Sequence, residues 1–448
     1  MEAPSNSSGL DAELVRRGIE LVAVSFVDNA GITRAKCMPA KRLERAASEG
    51  IGSPRVLGVF QGDDRIAPAG ELSRPVGDLR LVPDLQALAG GVDGWGWAPG
   101  DQLDQEGQVW PLCSRSFLRR LVEEARARSL GLEAAFELEW YAESAGGQPA
   151  HAGPGYSLAA AGQCGPYLAE INRRLAAHDV RVEQLHAEYS PGQLEVSLGR
   201  GDPLGAADRC VLARHVIRSA DVKTGVRASF SPLVREGMVG NGCHLHSSLW
   251  RESANLLGCD PADPLGITPD GRSFLAGVLR ELPALVCLGC ASPVSYERLG
   301  PTRWTGAYEC WGVENREAPL RFIRGSRAAR PGAANAELKP LDASSNPYLV
   351  AGALIAAGLR GLEERAELPA ETAVDPAILS PSDRERLGLT PLPADLAAAA
   401  EALERSETLR AALGDELHGA IVAVRRGEAE TTRALSGEEL LAYYRWRY

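Results

Sequence analysis

Residues 136–140 read Phe136-Glu137-Leu138-Glu139-Trp140. Successive side chains of a strand point to opposite faces. Phe136, Leu138 and Trp140 therefore share one face, and Glu137 and Glu139 share the other. Two readings are open. Either the acidic face is solvated, as on any half-buried strand, or two carboxylates point inward to hold a metal ion.

Ala135 to Trp140 and Leu194 to Leu198 both alternate with period two, the mark of strands. Before them, Leu118, Leu121, Val122 and Ala125 recur at helical spacing, which predicts a helix from about Ser114 to Ser129 with Gly131 as its stop. Nearer the start, residues 12–46 read as a short helix, the apolar run Leu21 to Val27, a turn at Asp28-Asn29-Ala30-Gly31 and a second extended run. That is a hairpin signal. Further short runs over residues 54–85, ending at Leu81-Val82-Pro83-Asp84, predict a small mixed sheet. The Gly-, Asp- and Gln-rich stretch from Ala89 to Gln108 reads as a linker, dividing residues 1–107 from residues 108–448. Helices are expected again at Pro347 to Glu364 and Pro393 to Arg425. Acid-bearing strands flanked by long helices predict an α+β catalytic domain.

The chain has 448 residues, enough for one large domain and a small one. No segment approaches the ~18 uninterrupted apolar residues of a membrane helix, so no membrane partner is expected. The opening, MEAPSNSSGLDAEL, has no basic run followed by an apolar core and does not read as a signal peptide. Nine cysteines are scattered along the chain, which suits a reducing cytoplasm better than a disulfide framework. Cys287 and Cys290 lie in an apolar helix-like run and are expected to pack in the core. A net charge of −11 argues against nucleic acid as a partner.

Three further segments carry polar groups. In His186-Ala187-Glu188-Tyr189-Ser190-Pro191-Gly192-Gln193-Leu194-Glu195, the Ser-Pro-Gly turn lets Glu188 and Glu195 approach one point. In Gly240-Asn241-Gly242-Cys243-His244-Leu245-His246-Ser247-Ser248, glycines allow a close backbone approach before two histidines on one strand face. These read equally as ligands or as ordinary strand residues. Arg298, Arg303, Arg316, Arg321, Arg324, Arg327, Arg330 and Lys339 follow. They form either a basic solvated surface or counter-charges for a carboxylate and phosphates. The carboxylates, Glu337 included, outnumber the histidines. An oxygen-rich set suits Mg²⁺ or Mn²⁺ better than Zn²⁺.

Taken in order, these segments resemble the glutamine synthetase family from about residue 20 to about residue 425. Gly240-x-Gly242-x-His244-x-x-x-Ser248 resembles its ATP-binding signature, with Ser231-Pro232 where Lys-Pro is usual. Phe136-Glu137-Leu138-Glu139 resembles its first metal strand. The Glu188 and Glu195 segment, Asn315-Arg316 with Arg321, and Ala336-Glu337-Leu338-Lys339 before Asn346-Pro347-Tyr348 complete the match. The resemblance implies a small β-grasp-like N-terminal domain, a large catalytic domain and a two-ring dodecamer. It implies ATP and two or more Mg²⁺ or Mn²⁺ ions per active site, with glutamate and an amine as substrates. By it, Glu139, Glu188 and Glu195 hold one metal, and Glu137, His244 and Glu337 hold another. Arg298 pairs with the glutamate α-carboxylate, and Arg316 and Arg321 with nucleotide phosphates. His246 and Ser248 contact nucleotide, and Gly242 lies on the substrate loop. Tyr156 matches an amine-site tyrosine, Glu188 also contacts substrate, and Asp78 reaches across a subunit boundary. Lys339 replaces an arginine that faces the transferring phosphate.

Two departures bear on the amine. The family's glutamate six residues after the arginine of Arg-Leu-x-Pro is here Trp304, in Arg298-Leu299-Gly300-Pro301-Thr302-Arg303-Trp304. The small domain's ammonium-holding aspartate has no match in Glu49-Gly50-Ile51-Gly52-Ser53-Pro54. Both losses remove negative charge from an ammonium pocket. A bound NH₄⁺ gives up several kcal/mol of hydration that those anions would offset. An aromatic ring offers apolar area and a cation–π face instead. The expectation is a ligase for glutamate and a larger amine: an alkylamine, ethanolamine, a polyamine or an arylamine. The alternatives are an ammonia-using synthetase and a catalytically silent relative.

Overall fold

The computed structural model describes residues 9–448. Residues 1–8, on which most of the signal-peptide reading rests, lie outside the described residues. Six strands form the first sheet: β1 (Leu21–Val27), β2 (Thr33–Pro39), β3 (Ile51–Pro54), β4 (Asp78–Pro83), β5 (Ala89–Val92) and β6 (Trp95–Leu103). Their order is β2-β1-β6-β4-β3, with β5 beside β6. The expected hairpin is present, since β1 and β2 pair antiparallel from Leu21↔Pro39 to Val27↔Thr33. Asp28 closes its turn by accepting the N–H groups of Ala30 and Ile32. Gly31 has φ +81°, and a Cβ there would stand 1.7 Å from the Ser344 carbonyl oxygen. Only glycine fits where this turn meets the larger domain.

The linker expected from Ala89 to Gln108 is not a linker. It supplies β5 and β6, and β6 runs through the middle of the sheet, parallel to β1 and antiparallel to β4. The glycines misled because they serve the hairpin itself. Gly90, Gly91 and Gly94 all have positive φ, and a Cβ on Gly90 would stand 2.4 Å from the Gly96 Cα. Glycine inside a strand marks close backbone approach as well as loops. Trp97 and Ala98 are buried, and the Trp97 indole donates to Ser25 Oγ at 2.9 Å.

The second sheet has nine strands: β7 (Gly131–Ser144), β8 (Val182–Ala187), β9 (Gln193–Leu198), β10 (Val226–Ser229), β11 (Cys243–Arg251), β12 (Ala254–Asn255), β13 (Trp311–Val313), β14 (Leu320–Ile323) and β15 (Asn335–Leu338). The order is β13-β14-β15-β11-β7-β9-β8, with β10 on β7 and β12 on β11. Phe136, Leu138 and Trp140 of β7 are buried, as their alternation required. Cross-strand register sets the polar face. His244 lies opposite Glu137, Glu139 opposite Glu195, and Glu337 opposite both His246 and Arg321.

Helices cover the apolar side of this sheet. The helix Ser114–Ala127 stands close to its expected limits, and Pro347–Glu364 matches its own. Asn346 caps the latter through its Oδ1, while its Nδ2 donates to Val27 O and Ser114 Oγ. The segment read as helical from Pro393 to Arg425 is broken into Leu396–Arg405, Glu407–Leu413 and Asp415–Thr432. Ser406 caps the second piece, and Gly414 at φ +78° ends it. Cys287 and Cys290 are fully buried in the core, as expected. Among the described residues, no helix is long and apolar enough to cross a membrane.

Candidate functional site

The polar ends of β7, β8, β9, β11 and β15 line a cavity of about 310 Å³. Glu137, Glu139, Glu188, Glu195, Glu337 and His244 face it, together with Arg298, Arg303, Arg316, Arg321 and Lys339. Alternation places the glutamates there. Residues i and i+2 of β7 share a face, and the β7–β9 and β7–β11 pairings bring Glu195 and His244 alongside. The turn at Ser190-Pro191-Gly192, with Gly192 at φ +76°, returns the chain so that Glu188 joins Glu195.

The cavity concentrates negative charge out of water. Glu139, Glu188, Glu195 and Glu337 are each less than one-tenth exposed. Burial, with Glu137, Glu139 and Glu188 adjoining, pushes the Glu195 carboxyl up to about 11. Burial and Glu139 raise Glu188 as well. Carboxylates this crowded cannot all ionise without a cation between them. Burial also raises Glu337, but Lys339, His246 and His244 outweigh it and hold it down to about 2. Its partners are Arg321 Nη1 at 3.0 Å and Lys339 Nζ at 3.2 Å. Burial disfavours a charged His246, yet the hydrogen bond to Glu137 and the nearby Glu337 lift its ring to about 9.

Three observations fit this donor set to a divalent metal. Ligand atoms of Glu137, Glu139 and His244 lie within 4.8 Å of one another, and so do those of His186, Glu188 and Glu195. His244 Nδ1 is buried without a hydrogen-bond partner among the described residues, although Glu337 Oε1 stands 3.2 Å away. A Cβ at Gly242 would meet His244 Nε2 at 2.5 Å, Arg298 Nη2 at 2.9 Å and Glu139 Oε1 at 3.1 Å, so glycine keeps that space open. Oxygen donors dominate, as hard divalent cations require. The geometric groups differ from the sets that the resemblance implied. Glu139 stands with Glu137 and His244, and His186 joins Glu188 and Glu195.

The remaining predicted residues, Asp78 apart, divide between two cavities. Arg298 is 2% exposed, and its Nη1 has no hydrogen-bond partner among the described residues. Arg316 lines the same cavity from an exposed position. The Tyr156 hydroxyl donates to Glu188 Oε1 at 2.7 Å, and its pKa is raised by burial and by that carboxylate. Trp304 lines the mouth, and its backbone N–H donates to Glu317 Oε1 at 2.9 Å. His246 and Ser248 instead line an adjoining groove of about 680 Å³ with Arg181 and Arg200. Glu137 and Ser197 form part of both walls. Asp78 begins β4 as an exposed residue and faces neither cavity.

Several side chains join the site without having been singled out in the sequence. His186 Nε2 stands 3.2 Å from Glu195 Oε1. Its signal was present, since His186 and Glu188 fall two apart in one extended segment. Gln193 is buried, and its amide donates to Glu139 Oε2 at 2.8 Å and to the Gly240 carbonyl at 2.7 Å. Tyr189 meets Trp304 edge to face, with ring centroids 5.5 Å apart. Nothing local in the sequence joins those two.

Comparison with known proteins agrees with this geometry. Residues 111–443 match the glutamine synthetase catalytic domain. The gamma-glutamylpolyamine synthetase GlnA3 of Streptomyces coelicolor is 43% identical over 450 residues, covering 99% of this chain and 96% of that protein. The crystal structure of a novel glutamine synthase homolog superposes with a TM-score of 0.86 at 33% identity, covering 96% of this chain and 99% of the other. A GmaS–ADP complex gives a TM-score of 0.83 at 26% identity, covering 96% and 98%. With the carboxylate and histidine cluster in register and the match spanning most of its length, the chain belongs to the glutamine synthetase family of ATP-dependent ligases.

Proposed function

We propose that this protein joins an organic amine to the side-chain carboxylate of glutamate, using ATP, to form a γ-glutamyl amide. One observation carries the choice of amine. Trp304, in the position of a family glutamate, lines the cavity that also holds Tyr156 and Glu188. The Streptomyces coelicolor relative, by its name, makes γ-glutamylpolyamines, which supports a polyamine or a similar aliphatic amine here.

A carboxylate is a poor electrophile and repels nucleophiles. Transfer of the ATP γ-phosphoryl group to the glutamate side chain gives γ-glutamyl phosphate and ADP. The amine lone pair then attacks the acyl carbon, phosphate leaves, and nitrogen loses a proton. Arg298 holds the glutamate α-carboxylate in a fixed orientation. Arg316 and Arg321 bind phosphate oxygens, which a guanidinium meets bidentately. Lys339 faces the transferring group as a point charge. Gly242 gives the substrate loop its close approach, and His246 and Ser248 seat nucleotide in the adjoining groove. Tyr156 and Glu188 orient the amine, and Trp304 covers it from water.

We assign Mg²⁺ or Mn²⁺, two or more per site, to the sets that the family resemblance implies, Glu139, Glu188 and Glu195 and Glu137, His244 and Glu337, all of which line the one cavity. When bound, such ions neutralise charge that builds on the phosphoryl oxygens. Asp78 faces neither cavity of its own chain, which supports a contribution across a subunit boundary in a dodecamer of two hexameric rings. The end of β6 at Leu103 and the helix start at Ser114 support a division at residues 107 and 108. Nine free cysteines support a cytoplasmic setting.

The test is ADP release from the purified protein across a panel of amines, with mass detection of the product. Release that requires both glutamate and an organic amine is expected. Fastest turnover with ammonium, or no turnover with any amine, would overturn the reading.

A further inference from the structure

Resting on that reading, we infer that the Tyr189–Trp304 ring pair selects amines bearing a second positive charge, so that aliphatic diamines and polyamines are favoured over monoamines of equal length. Glu188 links this pair to the place of attack. Its Oε1 accepts the Tyr156 hydroxyl, and its Oε2 accepts the Tyr189 backbone N–H at 2.6 Å. Tyr156, Glu188, Tyr189 and Trp304 all line this one cavity, so an amine oriented by Tyr156 and Glu188 shares it with the ring pair.

What lies beyond is aromatic rather than acidic. Every carboxylate lining the cavity belongs to the crowded cluster of Glu137, Glu139, Glu188, Glu195 and Glu337. None is left over among the lining residues for a distal ammonium. Tyr189 is 52% exposed and Trp304 43% exposed, so large ring faces stand open at the mouth. Aromatic faces attract alkylammonium groups through the ring quadrupole and give apolar area to methylenes. Arg303, which lines the same cavity, is tied back by its Nη1 donating to the Glu297 carbonyl at 2.5 Å.

The Trp304 position is enforced rather than incidental. Thr302 and Trp304 have φ of +62° and +57°, a conformation unfavourable for β-branched and bulky residues. Glu317, buried and accepting the Trp304 N–H, holds the loop in it. Thr305 closes the loop from the other side through the backbone of Gly300. Strain retained at a cavity mouth points to use of the side chain it presents.

The experiment compares kcat/KM for 1,4-diaminobutane, n-butylamine and ammonium in the wild type, Tyr189→Ala, Tyr189→Phe and Trp304→Ala. The wild type is expected to prefer the diamine over butylamine by about tenfold or more, the worth of a partly desolvated cation–π contact. Tyr189→Ala and Trp304→Ala are expected to bring that ratio to within about threefold. Tyr189→Phe, which keeps the ring, should retain it. A wild type that prefers ammonium defeats the ligase reading itself. A wild type that prefers the diamine, with the same ratio in Tyr189→Ala, defeats this inference alone. So does a Tyr189→Ala variant that changes only the oligomeric state, since the rings would then serve a neighbouring subunit.

Discussion

The guanidinium of Arg425 donates from Nη1 to the backbone carbonyl of Asn29, 2.6 Å away, and from Nε to that of Cys287 at 2.9 Å. Arg425 is fully buried. One side chain of the helix Asp415–Thr432 thus pins the β1–β2 turn and the core helix Leu282–Gly289 together. Replacing it with alanine leaves two buried carbonyls unpaired. Arg425→Ala should lower stability by about 3 kcal/mol, read as a drop in thermal midpoint. Arg425→Lys should restore only part, because an ammonium lacks the planar fork. An unchanged midpoint in Arg425→Ala would refute the clamp.

Gly242 has no room for a side chain beside the cavity. A methyl group there would press on His244, Arg298 and Glu139 together. Small misplacements of reacting groups cost about 100-fold in rate. Gly242→Ala should lose at least that in kcat/KM with little change in thermal midpoint. Near wild-type turnover would mean that the three side chains can give way.

The carboxylate cluster should destabilise the protein when no cation is present. Glu195 sits among Glu137, Glu139 and Glu188 in a buried setting. Without a cation Glu195 must take up a proton to fold, and Glu195→Gln removes that cost at nearly constant shape. In excess chelator, the variant should melt above the wild type by about 1 kcal/mol of stability or more. Added Mg²⁺ should raise the wild-type midpoint more than that of the variant. Equal midpoints under chelation would show that burying this carboxyl costs the fold nothing.

Acid sensitivity should come partly from His178. Burial pushes its imidazole down to about 4, with His215, Arg17 and Arg174 adding repulsion and Asp179 opposing it. Unfolded, the ring titrates near 6.5. The folded state therefore binds fewer protons between these values. The contribution of neutral His178 is complete above about pH 6.5 and is lost as pH falls towards 4. His178→Gln should flatten this limb, so its thermal midpoint falls less than the wild type's between pH 7 and pH 5. Parallel curves would assign the acid limb to other groups.

Local patterns and long-range contacts divided the labour unequally. Period two in Phe136 to Trp140 named the buried face of β7 and the acidic face before any partner was known. Helical spacing did the same for Ser114–Ala127. The stretch from Ala89 to Gln108 misled, because glycine marks loops and close strand approach alike, and only pairing with β1 and β4 distinguishes them. His186, near the end of the short strand β8, shares a segment with Glu188, but so short a run gives little periodicity to read.

The sequence by itself determined the residue types: a set of carboxylates richer in oxygen than nitrogen, a run of cations from Arg298 to Lys339, and Trp304 where the family resemblance leads one to expect a glutamate. Those are choices of residue type, and they need no coordinates. The tertiary structure alone decided that Tyr189 meets Trp304, that Glu317 holds the Trp304 loop, and that Arg425 reaches Asn29. Such contacts join segments distant in the chain. They depend on strand register and packing, which no local pattern of side chains encodes.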